Sequence, residues 1–95
     1  MPKPREQSDP RRLAAWERAR HLVGQRVREL RIAGGLTQEQ LALRAGIARN
    51  VLVDVELGKS GLLYERLFDL AAALGISASE FLFLETDDVY THDEF

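Results

Sequence analysis

The 95-residue chain has room for one domain with a single modest core. At 45% hydrophobic and 29% charged it is ordinary for a globular protein, and without cysteine it has no disulfide, thiolate nucleophile or cysteine-based metal site. Its net charge of −2 is unevenly divided: residues 1–35 carry +5, residues 36–84 carry −2 and residues 85–95 carry −5. Binding responds to such local fields more than to the total. No apolar run approaches the roughly 18 residues of a membrane span. The N-terminus, MPKPREQSDPRR, lacks the apolar centre of a secretory signal. A cytoplasmic protein away from membranes is expected.

Residues 1–8 hold Pro2 and Pro4 and are expected to form a flexible arm. Ser8 or Asp9 followed by Pro10 is a helix start, an N-cap with proline at the first helical position. From Pro10 to about Ala33 the pattern stays helical. Leu13, Trp16, Val23, Val27 and Leu30 fall on one stripe, while Arg11, Arg18, Arg28 and Glu29 lie largely off it. Gly24 marks the expected kink or break. Two readings of the first part of this helix stand: a solvated cover for the domain, or a dimer contact through Leu13 and Trp16.

Gly34 and Gly35 end that helix, and Leu36 returns the chain to the core. Thr37 and Gln40 make a capping box for a second helix, with Leu41, Ala42 and Ala45 on its apolar face. Gly46 supplies the left-handed residue that swings the backbone out, and Ile47 plugs inward. A third helix, 48–57, turns Leu52 and Val55 to the core until Gly58 ends it. Two short helices across a three-residue turn form the arrangement that presents one helix to a DNA groove. A fourth helix is expected over about Leu62 to Leu74. Ser77 and Glu80 then box a short fifth helix through Phe81 and Leu82, as far as Leu84 at most. Residues 85–95 are acidic and lack helical period. The fold class is all-α, with five or six helices.

Residues 24–82 resemble the Cro/phage-repressor type of helix-turn-helix domain, the xenobiotic response element family. RELR, LTQEQLA, AGI, the Glu-x-Gly-Lys end of the third helix, LFDLAAALGIS and SASEFL stand in that family's order. The resemblance implies a lambda-repressor-like DNA-binding domain over 9–84, with a family core at 23–84 and a helical extension at 9–22. It also implies that Thr37 and Gln38 stand at a phosphate contact, and that Lys59 and Ser60 touch backbone on the far side. Arg31 and Glu56 match a pair that locks the first helix onto the third. Along the third helix, Arg49 suits guanine, Asn50 adenine, Val53 a thymine methyl and Asp54 cytosine N4.

This surface departs from the family pattern. Ala48 stands where serine or threonine usually caps the recognition helix, at a cost of about 1 kcal/mol. Val53 and Asp54 replace polar or basic groove residues, and Val51 and Leu57 make the outer side apolar. No cofactor or metal is expected: His92-Asp93-Glu94 is one short run without spaced ligands, and nothing supports a catalytic triad or a phosphate loop. The expected function is a sequence-specific duplex-DNA regulator, a repressor acting as a homodimer, with Leu13, Trp16, Phe81, Phe83 and Leu84 as dimer candidates. The rival is a protein-interaction module on the same fold, an antitoxin or adaptor, binding a protein partner through the acidic tail and the apolar outer face.

Overall fold

The structure, a computed structural model, describes residues 9–84; the arm expected over 1–8 and the acidic tail at 85–95 lie outside the described residues. Among the described residues five helices follow in order: α1 (Pro10–Ala33), α2 (Gln38–Ala45), α3 (Arg49–Glu56), α4 (Tyr64–Leu74) and α5 (Ala78–Phe81). Among the described residues there is no strand.

Asp9 is the cap that starts α1. Its side chain accepts from the backbone N–H of Arg11 at 2.9 Å, and that bond holds the Asp9 carboxyl below its usual range. Pro10 needs no N–H at the first helical position. The helix then runs unbroken for 24 residues, about 36 Å at 1.5 Å per residue. Extension and first family helix are therefore one rod. The break expected at Gly24 is absent because the glycine serves a crossing instead. A Cβ there would overlap the carbonyl oxygen of Val55 and stand 3.0 Å from that of Glu56. Only the absence of a side chain lets α1 lie this close to α3.

Local chemistry sets the next turns. Thr37 Oγ1 accepts from Gln40 N at 3.0 Å, while Gln40 Oε1 accepts from Thr37 N at 2.8 Å, closing the capping box that starts α2. Gly46 takes φ 71°, and the Ile47 N–H bonds back to the Ala42 carbonyl at 3.0 Å. α4 begins at Tyr64, two residues later than the sequence suggests, because Leu63 is extended and Leu62 packs against the core as part of the connector.

Among the described residues the buried cluster comprises Val27, Leu41, Ala42, Ala45, Leu52, Val55, Leu70, Ala71 and Phe81. Each large aliphatic or aromatic member contributes roughly 1.5–3 kcal/mol by leaving water. Phe81 is only 1% exposed, which removes it from the dimer candidates. The Ser77–Glu80 box fixes the start of α5 and turns Phe81 inward. Arg26 on α1 donates to the carbonyls of Glu80 at 2.8 Å and Phe81 at 3.4 Å, occupying acceptors that the helix end leaves free.

Candidate nucleic-acid interface

α3 has one buried edge and one open edge. Leu52 and Val55 are within 1% of full burial, and the three-to-four-residue spacing puts Arg49, Asn50 and Asp54 on the other side, all exposed. Val53 is half-buried, while Val51 and Leu57 stand 41% and 52% exposed. The helix is about 12 Å long, a rod that a major groove about 12 Å wide admits. Its start is bare: Ala48 makes no side-chain cap bond, and the Val51 N–H falls back on the Ala48 carbonyl at 3.1 Å.

Glu56 joins three segments at the end of α3. Arg31 Nε and Nη2 donate to its two carboxylate oxygens at 2.7 and 3.0 Å, and Arg31 Nη1 donates to the Leu36 carbonyl at 3.0 Å. The side chains are 13% and 3% exposed, so water competes little for the pair. Gln38 completes the group, its Nε2 donating to Glu56 Oε1 at 3.1 Å. The phosphate contact expected of Gln38 must therefore share an amide already held from behind. Thr37 is exposed, with its hydroxyl oxygen committed to the cap.

Beside this network lies a cleft of about 270 Å³ lined by Arg28, Arg31, Gln38, Val53, Glu56 and Leu57. Arg28 is the residue that sequence reasoning missed. Helical period placed it off the apolar stripe; its spacing of three from Arg31 was the signal that it shares that residue's face. On the far side, Gly58 takes φ 73° beneath the His21 ring. The Lys59 N–H then donates to the Asp54 carbonyl at 2.9 Å, leaving Lys59 exposed and Ser60 half-buried. Arg28, Arg49 and Lys59 thus offer cations near α3, with Asp54 as an exposed opposing charge.

Of the remaining dimer candidates, Leu13 is 45% and Phe83 81% exposed. Trp16 is half-buried, with the Arg12 guanidinium 6.0 Å from its ring centre, and Leu84 is half-buried. Leu63, Tyr64 and Phe68 are also exposed, by 69%, 70% and 58%. Among the described residues, no helix is long and apolar enough to cross a membrane.

Comparison with known proteins identifies the family and the fold. The helix-turn-helix family matches residues 27–81. An HTH-type transcriptional regulator from Sinorhizobium fredii is 39% identical over 69 residues, 73% of this chain and 88% of that protein. The immunity repressor protein of Bacillus phage phi105 is 39% identical over 64 residues, 67% of this chain but 44% of the repressor. Among solved structures, the restriction-modification controller protein C.AhdI from Aeromonas hydrophila superposes with a TM-score of 0.67 at 38% identity, covering 68% of this chain and 98% of that one. A hypothetical transcription factor from Neisseria gives a TM-score of 0.66 at 25% identity, covering 94% and 91%. With more than half its length matched, the chain belongs to the Cro/phage-repressor type of the helix-turn-helix family: it is a DNA-binding transcription regulator and not an enzyme.

Proposed function

We propose that this regulator is a repressor that binds a two-fold operator as a homodimer, with α3 of each protomer in the major groove. The observation that carries this reading is the open edge of α3, where Arg49 and Asn50 are exposed while Leu52 and Val55 hold the helix from behind. Arg49 reads guanine, Asn50 adenine, and Val53 with Asp54 tune the remaining contacts. Thr37, Gln38, Lys59 and Ser60 position the protein on phosphates, joined by Arg28. One short helix reads few base pairs, so two half-sites about 34 Å apart supply the specificity. Tyr64 and Phe68, an i,i+4 pair of exposed aromatics on α4, join Leu13, Trp16, Phe83 and Leu84 as candidates for the contact between protomers.

Selection of bound sequences from a random duplex pool tests this directly. A pseudo-palindromic site is expected, with affinity falling steeply as salt rises. Sedimentation of the same complex should give two protomers per site. Absence of duplex binding at low salt overturns the reading.

A further inference from the structure

The open edge of α3 sets one acid beside two aliphatic side chains. Val53, Asp54 and Leu57 follow Asn50 by three, four and seven residues, and so share its edge. Leu57 keeps the helical step beyond Glu56. Its N–H bonds to the Val53 carbonyl at 3.0 Å, and its φ of −83° and ψ of −4° stay right-handed. The Leu57 side chain, 52% exposed, therefore stands one turn beyond Val53. Both residues line the cleft that also holds Arg28 and Gln38. Asp54 is exposed, and among the described residues its carboxylate takes part in no ion pair or hydrogen bond.

Each feature selects a different part of a base edge. A carboxylate in the major groove is opposed by the phosphates, and only an amino group, cytosine N4 or adenine N6, rewards it there. An aliphatic pair finds its match in a methyl group on pyrimidine C5. Thymine offers that methyl but sets the acceptor O4 beside it. Cytosine offers the amino group beside a bare C5. A cytosine methylated at C5 presents both, on adjacent atoms.

We propose that α3 reads 5-methylcytosine, with Asp54 accepting from N4 while Val53 and Leu57 enclose the methyl group. Position C5 is the end of the base edge nearest its own strand. The cleft can thus take the methyl while Arg28 and Gln38, on its rim, meet phosphate. Occupancy of the operator then depends on its methylation state. This assignment rests on the proposed placement of α3 in the major groove.

The test selects duplexes bound by the full chain from two random pools, one built with cytosine and one with 5-methylcytosine. The selected site is then resynthesised with cytosine, 5-methylcytosine or thymine at each cytosine position in turn, and titrated at fixed salt. At one position in each half-site, 5-methylcytosine should bind about fourfold tighter than cytosine, the worth of one buried methyl. It should bind about tenfold tighter than thymine, whose O4 faces the carboxylate. Leu57→Ala and Val53→Ala should each bring cytosine and 5-methylcytosine to equal affinity while the cytosine site is still bound. Leu57 is exposed, so its variant should keep the folded circular dichroism spectrum. Asp54→Ala should retain the methyl preference over cytosine and lose most of the preference over thymine.

Equal binding of cytosine and 5-methylcytosine at every position overturns the proposal, as does a methyl preference that neither aliphatic variant reduces. Thymine bound as tightly as 5-methylcytosine, with no change in Asp54→Ala, would place methyl and amino group on separate bases and overturn it too. Absence of duplex binding at low salt from both pools overturns the proposed function, and this assignment with it. Binding without methyl discrimination overturns the assignment alone.

Discussion

The carbonyl oxygen of Val55 occupies the space that any side chain on Gly24 would need. Both partners in that overlap would be fixed, since the oxygen belongs to the backbone of α3 and the new carbon to the backbone of α1. Gly24→Ala should therefore destabilise the fold, although alanine favours a helix by about 1 kcal/mol over glycine. Overpacking costs typically 1–3 kcal/mol, and this overlap belongs at the upper end, so a net loss of about 2 kcal/mol is expected. Urea denaturation checks it; a variant more stable than wild type would mean that the helices slide apart freely.

Arg31 and Glu56 should behave as one unit. Replacing Glu56 with leucine strands a guanidinium that is 13% exposed, at a cost of about 3 kcal/mol. Arg31→Met with Glu56→Leu removes both charges, and the double variant should be more stable than Glu56→Leu alone. A double-mutant cycle measures the coupling, which should be of at least about 1 kcal/mol. Strict additivity would reduce the pair to two independent charges.

Ala48→Ser supplies the missing cap. Position 48 already has the extended backbone of an N-cap, φ −69° and ψ 145°, and a serine oxygen there is placed to accept from Val51 N. A gain of about 1 kcal/mol is expected, read as a rise in melting temperature of about 4–8 °C for a domain this small. An unchanged or lower melting temperature would indicate that the Val51 N–H is already satisfied by the Ala48 carbonyl.

Arg49→Ala and Lys59→Ala should separate base reading from backbone positioning. On a selected operator, Arg49→Ala should lose about 1–3 kcal/mol of affinity and relax preference at one base pair. Lys59→Ala should weaken all duplexes alike and reduce the salt slope by about one. Titrations at several salt concentrations distinguish them; identical profiles for both variants would refute the division.

Legibility in the sequence followed the range of the interaction. Both capping boxes, the Asp9–Pro10 start and the Gly46 turn were readable because each is settled within three or four residues. Register along α3 was readable for the same reason. Phe81 and Phe83 lie two residues apart in similar apolar surroundings, yet one is 1% and the other 81% exposed. That contrast depends on how α5 docks on the core and α1.

The chain alone pointed to five or six helices, both capping boxes and the identities along the open edge of α3, because hydrogen bonds and periodicity act between near neighbours. Tertiary structure decided the rest. It made Gly24 a crossing point, gathered Arg31, Gln38 and Glu56 from three segments, brought Arg28 to the cleft beside them and left Arg20 Nε without a partner. Those relations arise where helices distant in sequence meet, and close packing between backbones fixes them only once the whole core has formed.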